Sequence, residues 1–149
     1  MAKERTLVLI KPDIIQRGMA GRLISRLEDR GLQIVAARLL RMNEATAARL
    51  YEPHIGKAFY PPLVEFMTAG PILALCMEGH GAIDLVRTTM GATDPARAAP
   101  GTIRGDWGQR VDRNCVHGSD SLESAAREIS IFFEPHEVLD YPAAFTQWM

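Results

Sequence analysis

The sequence predicts an α+β fold in which helices pack on an antiparallel sheet of four strands. Two observations favour this class: short apolar runs typical of strands occur at four places, and segments with apolar residues at helical spacing lie between them. The chain has 149 residues, of which 47% are hydrophobic, and this is enough to bury one core without disulfide bonds or structural metal ions. We therefore expect residues 1–149 to form a single domain.

The strands are predicted from apolar runs and from alternation. Residues 6–10 form an unbroken apolar run, typical of a central strand buried on both faces, and the run ends at Lys11. Residues 32–42 alternate between apolar and polar positions except near Arg38, which indicates a strand with one wetter face. The other two strands are predicted at 71–78 and 131–133.

The helices are predicted from apolar residues three and four positions apart and from signals at their ends. Asn43 is a candidate N-cap, and so is Asp120, which has Glu123 three residues further on. Glycine or proline follows most of the periodic segments and marks where a helix stops. The predicted helices cover 20–30, 44–52, 61–67, 82–90 and 121–129.

One long segment, 92–113, has no sustained periodicity. Loops longer than about 12 to 15 residues are uncommon in compact domains unless they carry a function. The segment contains large or charged residues that a simple connecting loop does not need, namely Arg104, Trp107 and Arg113. We interpret this segment as a functional loop.

The charge balance and the motifs exclude several classes of protein. The chain has 17 Lys and Arg against 18 Asp and Glu, so no overall positive field is available to hold a nucleic acid. Cys76 and Cys115 have no metal-ligand spacing and are typical of free thiols in a reducing cytoplasm. The apolar run near the N-terminus is too short for a signal peptide or a membrane span. No Walker A loop, dinucleotide fingerprint, zinc helix or nucleophile elbow is present.

His117 is the candidate catalytic residue, because it lies next to Gly118 and just before a predicted helix start. A helix N-terminus favours an anion and disfavours a positive imidazole, so the ring is expected to stay neutral and nucleophilic. Its N–H then needs an acceptor that fixes the tautomer, and Glu128 is the candidate. A lone histidine in a Gly-Ser turn is more often a solvated or capping residue, and His54, His80 and His136 are expected in solvated loops.

The segment 114–120, with the sequence Asn-Cys-Val-His-Gly-Ser-Asp, matches the active-site signature of the nucleoside diphosphate kinases, and the chain resembles that family essentially from end to end. Other matching segments are 9–13, 16–18, 91–95, 100–106 and 119–125. The resemblance implies a ferredoxin-like βαββαβ core with a long loop before the histidine.

The resemblance also implies a role for each matching residue. His117 becomes phosphorylated and passes its phosphoryl group to a second nucleotide. Ser119 and Glu128 orient its ring, and Asp120 pairs with the lysine. Phe59 stacks on the base, with Val111 on the other side. The residues implied in binding phosphates and ribose are Lys11, Tyr51, Arg87, Thr93, Arg104 and Asn114.

The implied reaction moves the γ-phosphate of a nucleoside triphosphate, typically ATP, to a nucleoside diphosphate in a ping-pong scheme with broad base and sugar specificity. Mg²⁺ is the implied cofactor, held by the nucleotide phosphates with no ligand from the protein. The implied assembly is a homo-oligomer of dimers, and the loop 95–101 favours a hexamer over a tetramer.

Three alternatives remain open: a protein histidine phosphotransferase, a regulatory protein without turnover, and a nucleic-acid binder. Lys57-Ala58 departs from the commonest family form just before Phe59.

Overall fold

Four strands form one sheet in the computed structural model, which describes residues 3–144 and 146–148. The sheet has the order β2-β3-β1-β4, and every neighbouring pair is antiparallel. The strands are β1 (Lys3–Ile10), β2 (Gln33–Leu40), β3 (Ile72–His80) and β4 (Val116–Gly118). The predicted α+β class and the βαββαβ order are confirmed.

Seven α-helices accompany the sheet in the described part of the chain. They are α1 (Pro12–Gln16), α2 (Ala20–Asp29), α3 (Glu44–Leu50), α4 (Tyr60–Thr68), α5 (Ala82–Met90), α6 (Ile103–Trp107) and α7 (Leu122–Phe132). Short 3₁₀ turns lie at Glu52–His54 and Pro95–Arg97. The long segment before His117 therefore contains a turn and a helix, which its composition does not reveal.

Strand β1 is central and buried on both faces, as the sequence predicts. Leu7 and Leu9 lie in one cluster together with Phe132 of α7, whereas Val8 and Ile10 lie in a second cluster on the other face of the sheet. Packing on both faces holds β1 rigidly, so the residues that follow it have a fixed position.

The prediction of a last strand at 131–133 is wrong. Phe132 ends α7 with its side chain buried, and the fourth strand is β4, which contains His117. A short apolar run has no period that separates a strand from the end of a helix. A three-residue strand containing His and Gly likewise gives no strand signal.

Three smaller differences concern local geometry. Helix α7 is capped by Ser121, whose Oγ accepts the N–H of Ser124, and not by Asp120. Leu122 is exposed, although it lies three residues before the buried Ala125 of the same helix. A bulge between Ile34 and Ala36 interrupts the alternation of β2.

No described helix is both long enough and apolar enough to cross a bilayer.

Candidate active site

His117 lies in the middle of β4, opposite Leu9 of the central strand. Its side chain keeps 20% of its surface exposed, while Gly118 beside it is buried. A Cβ at Gly118 would approach Met90 Sδ to 2.6 Å and Val86 Cγ1 to 2.9 Å, so β4 packs this closely on α5 only with glycine there. The ring is therefore carried by a well-packed strand and not by a mobile turn.

Glu128 and Ser119 fix the orientation of the imidazole. His117 Nε2 lies 2.7 Å from Glu128 Oε1, and Ser119 Oγ donates to the same oxygen at 2.8 Å. Burial acts to raise the pKa of Glu128, but the hydrogen bonds from His117 and Ser119, together with nearby positive charge that includes Arg127, outweigh it and hold this pKa below its usual range. A charged carboxylate only accepts hydrogen bonds, so Nε2 carries the proton and the lone pair of the neutral ring is on Nδ1.

Helix α7 supplies Glu128 from its buried face. Ala125, Glu128 and Phe132 are the buried residues of this helix, and their spacing of three and four places them on one side. Ser119 anchors the contact to β1, because its N–H donates to the carbonyl of Leu7 at 3.2 Å while its Oγ accepts from the N–H of Leu7 at 3.3 Å. The acceptor of the histidine proton is thus held from two sides.

Lys11 lies directly after β1 and is almost fully buried. Its Nζ donates to Asn114 Oδ1 at 2.7 Å, and the Asn114 amide donates to the carbonyl of Thr93 at 3.0 Å. Burial, and then the charge of Arg104, lowers the pKa of Lys11 to about 8, against an opposing effect of Asp13. The expected pairing of this lysine with Asp120 is wrong: its hydrogen bond goes to Asn114.

Asp120 is exposed and interacts instead with neighbours on its own side of β4. A hydrogen bond with Ser124 is the main cause that holds the pKa of Asp120 below its usual range, and the charge of Arg87 adds to it. Arg87 donates to the carbonyl of Gly118 at 3.4 Å from the exposed face of α5. Asp120 and Arg87 therefore flank the histidine strand from the solvent side.

Arg104 is buried and bonded to the protein through all three of its guanidinium nitrogens. They donate to the carbonyls of Asn114 at 3.1 Å, Gly91 at 3.2 Å and Val116 at 2.7 Å. These bonds tie α6 and the end of α5 to the strand that carries His117. Thr102 caps α6 by accepting the N–H of Gly105 at 3.0 Å. The guanidinium therefore supports β4 as well as adding positive charge near it.

Aromatic rings extend from His117 toward the solvent. Tyr51 contacts the His117 ring edge-on with centroids 6.3 Å apart, His54 stacks at 6.2 Å from Tyr51, and Phe59 lies 5.1 Å from His54. Burial raises the pKa of Tyr51, so the phenol stays protonated, and its buried oxygen has no hydrogen-bond partner among the described residues. Phe59 is 50% exposed and Val111 58%.

His54 is the site residue that the sequence analysis missed. The expectation of a solvated loop is wrong for it: the ring is half-buried between two aromatic rings, and no described residue forms a hydrogen bond with its buried Nδ1. Burial, then the charges of Lys57 and His117, lowers the pKa of His54. The available signal was its position three residues after Tyr51, which places both rings on one side of a helical turn.

Cys76 behaves as the sequence suggests. It is fully buried in the core of the sheet, and burial raises the pKa of its thiol to about 11. Cys115 is also buried and unpaired. Neither thiol therefore forms the thiolate that a nucleophilic cysteine needs.

Comparison with known proteins agrees with the geometry. A family model described as "Nucleoside diphosphate kinase" matches residues 4–138. The chain belongs to the nucleoside diphosphate kinase family. It is thus an enzyme of the phosphotransferase class.

Relatives in this family match nearly the whole chain. The nucleoside diphosphate kinase of Archaeoglobus fulgidus is 50% identical over 98% of this chain and 97% of its own length. A nucleoside diphosphate kinase of Listeria monocytogenes is 47% identical over 98% of this chain and 99% of its own length. The structure of the Halobacterium salinarum nucleoside diphosphate kinase in complex with CDP superposes with a TM-score of 0.96 at 43% identity, covering 99% of this chain and 98% of that one. Fold and sequence therefore agree on the family along the full length.

Proposed function

We propose that this nucleoside diphosphate kinase transfers the γ-phosphate of a nucleoside triphosphate, typically ATP, to a nucleoside diphosphate through a phosphohistidine at His117. The observation that carries the proposal is the 2.7 Å contact of His117 Nε2 with Glu128, which leaves the lone pair on Nδ1. A nucleophile with a fixed tautomer at the edge of a cationic pocket suits attack on an electrophilic phosphorus.

In the first half-reaction, Nδ1 of His117 attacks the γ-phosphorus. The N–P bond forms, the bond from that phosphorus to the bridging oxygen breaks, and the nucleoside diphosphate leaves with the electron pair of that bond. The Nε2 proton stays between His117 and the Glu128 carboxylate, which stabilises the positive charge on the ring as it develops. An acceptor diphosphate then attacks the phosphohistidine in the reverse step, so one site serves both half-reactions.

The cationic side chains around His117 support a polyphosphate site. Lys11, Arg87 and Arg104 surround the strand, and we propose that they, with Thr93, Asn114 and the Tyr51 hydroxyl, bind the phosphates and the ribose. Positive charge in a partly buried pocket stabilises the charge that spreads over the transferring group. Since Nζ of Lys11 already lies against Asn114, these two residues are expected to act as one unit.

Mg²⁺ is proposed to enter with the nucleotide, bound by its phosphate oxygens. Among residues 3–144 and 146–148, no group of three or more His, Cys, Asp or Glu side chains is placed to hold a metal ion. Glu128, the carboxylate that contacts His117, is already bonded to His117 and Ser119. When bound, the metal neutralises charge on the phosphates, and it retains several waters as ligands.

The base is proposed to lie between Phe59 and Val111. Both side chains are large, apolar and about half exposed, and neither offers a hydrogen bond that would select one base. Broad base specificity follows from this, and we propose broad sugar specificity with it. Lys57 lies 5.8 Å from the Phe59 ring, so the unusual Lys57-Ala58 segment places a cation next to the platform.

We propose that residues 1–149 act as one domain within a homo-oligomer of dimers, a hexamer rather than a tetramer. Leu39 lies on the edge strand β2 and is 65% exposed, and the edge of a sheet is a surface to which a second copy can add. Light scattering should give six times the mass of one chain.

A cytoplasmic location is proposed because both cysteines are free and buried.

The experiment uses ATP labelled at the γ-phosphate, followed by GDP, CDP or TDP. We expect acid-labile label on the wild-type chain and rapid discharge to all three diphosphates. His117→Gln should abolish both steps, whereas His136→Gln, in an exposed turn, should leave both unchanged. Exchange that continues in pure His117→Gln protein contradicts the proposal.

The same assay separates the alternatives. Label that stays on the chain until a protein acceptor is added indicates a histidine phosphotransferase. A chain that binds nucleotides but takes up no label is a regulatory protein on this fold. Nucleic-acid binding that weakens steeply with salt would indicate the third alternative.

A further inference from the structure

Two short segments meet at the base of the site, Lys11–Asp13 after β1 and Asn114–Cys115 before β4. The N–H of Lys11 donates to the carbonyl of Cys115 at 2.9 Å, and the N–H of Cys115 donates to Asp13 Oδ2 at 3.1 Å. The third bond, from Lys11 Nζ to Asn114, lies beside these two. The carboxylate of Asp13 is therefore part of a closed set of bonds around the lysine.

Cys115 has an unusual backbone conformation. Its φ is +77°, and it is the one non-glycine residue with positive φ in the described part of the chain. A residue with a Cβ adopts this conformation at an energetic cost, and it stays there only where its surroundings hold it. The turn at Cys115 sets the direction in which Asn114 points on one side and His117 on the other. The hydrogen bond that the Cys115 N–H donates to the Asp13 carboxylate holds this turn.

The charge of Asp13 acts on the same pocket. The groups that affect the Lys11 ammonium are Arg104 on α6, Asp13 on α1 and the Cys115 thiol. Burial and Arg104 lower the pKa of Lys11, whereas Asp13 and Cys115 raise it. Asp13 Oδ1 is buried and has no hydrogen-bond partner within the described part of the chain, so one acceptor on a neutral side chain would satisfy the Cys115 amide equally well. A full negative charge at this place needs another reason.

We propose that Asp13 is a positioning residue of the phosphoryl-transfer site: its carboxylate holds the left-handed turn at Cys115 and balances the buried charge of Lys11. This inference rests on the proposed function, because it assigns Asp13 a part in that reaction. It needs no direct contact between Asp13 and the nucleotide. The two effects, the hydrogen bond and the charge, are separable by substitution.

The first experiment separates the charge from the hydrogen bond. Asp13→Asn keeps an acceptor for the Cys115 amide and removes the charge, so Lys11 loses its proton more easily. In the wild-type protein we expect kcat/KM to fall above about pH 8, where Lys11 deprotonates. In Asp13→Asn this midpoint should move down by about one pH unit. Asp29→Asn, an exposed carboxylate at the end of α2, should leave the midpoint in place.

The second experiment tests the turn by rescue. Asp13→Ala removes the acceptor, and misplacement of Asn114 and His117 should lower kcat by about tenfold or more. Adding Cys115→Gly lets the backbone adopt positive φ without help and should restore part of the loss. Adding Cys115→Ala removes the same thiol but keeps the Cβ, so it should restore nothing. Thermal unfolding of each variant separates these effects from loss of fold.

Three results would overturn the inference. One is a pH profile of Asp13→Asn that coincides with that of the wild type. Another is equal rescue by Cys115→Gly and Cys115→Ala, and the third is full kcat in Asp13→Ala. Failure of the proposed function is distinguishable, since wild-type protein would then take up no label from ATP in the first place.

Discussion

The histidine end of the site, formed by His117, Glu128, Ser119, Lys11 and Asn114, is held very differently from the aromatic end, formed by His54, Phe59 and Val111. The histidine end is built from strands and a helix, and each side chain has a named hydrogen-bond partner within 3 Å. The aromatic end lies on turns and on the start of a helix, with rings 5 to 6 Å apart and half of the Phe59 surface exposed.

This difference matches what each end has to do in the proposed reaction. Phosphoryl transfer needs a nucleophile with a fixed position and protonation state, and buried, mutually bonded groups provide that. Binding of any base needs a flat apolar surface and little directional bonding. Substitutions at the histidine end should therefore act on kcat, whereas those at the aromatic end should act on KM.

The largest effect is expected for Glu128→Gln. An amide can donate to Nε2, which moves the ring proton to Nδ1 and removes the lone pair that attacks the phosphorus. We expect kcat to fall by about 10²- to 10⁴-fold with little change in KM. Stopped-flow labelling of the enzyme with ATP measures this step.

Glu123→Gln is the matched control, since Glu123 is an exposed residue in the first turn of the same helix. Its kinetics should equal those of the wild type. A Glu128→Gln enzyme with normal kcat would mean that the tautomer is not what the histidine end controls.

Phe59→Ala should mainly weaken binding. Stacking of a base on an aromatic ring contributes about 1 to 3 kcal/mol, so KM for every nucleotide should rise by about 10- to 100-fold while kcat changes little. Steady-state kinetics with purine and pyrimidine diphosphates measure the effect. Phe59→Trp should bind nucleotides as the wild type does, whereas Phe59→Leu, which is apolar but has no π-face, should bind as weakly as Phe59→Ala. If Phe59→Ala lowers kcat and leaves KM unchanged, the distinction between the two ends is wrong.

The alkaline limb of activity is the next smaller effect. Above about pH 8, each further pH unit should lower kcat/KM by about tenfold, because the free enzyme loses the Lys11 proton. The pKa of this lysine is below that of the unfolded chain, 10.5, so its contribution to stability increases from about pH 8 to 10.5 and is lost as pH falls through 8. Urea unfolding across this range should therefore show no loss from Lys11 while activity falls; parallel loss of both would contradict the assignment.

Local patterns in the sequence predict the elements that have a strong period. The apolar run of β1 and the spaced apolar residues of α5 lie where they are expected. The prediction of four strands is right in number and wrong in place for the last strand only, because β4 is three residues long and is recognisable only through its pairing with β1. A strand that exists because of a distant partner has no signal of its own.

The contacts of the candidate site depend on the same long-range pairing. His117 meets Glu128 because Ala125, Glu128 and Phe132 share the buried face of α7. Leu122 is exposed although it precedes Ala125 by three residues, so apolar spacing alone does not define that face. The contact of Asp13 with Cys115 joins residues far apart in the chain, and no motif predicts it. The sequence indicates the residue types that the proposed chemistry needs, while their partners depend on how the sheet closes.

The smallest effect is expected at the start of α7, where Ser121 caps the helix that carries Glu128. Ser121→Ala removes the acceptor for the N–H of Ser124 and should lower the free energy of unfolding by about 1 kcal/mol. Glu128 lies almost two turns further on and is held by His117 and Ser119, so kcat should stay unchanged. Ser130→Ala, whose hydroxyl donates to a carbonyl near the other end of the helix, is the control for loss of a hydroxyl. If Ser121→Ala lowers kcat as well as stability, the position of Glu128 depends on the whole helix and the histidine end is less firmly held than its bonds indicate.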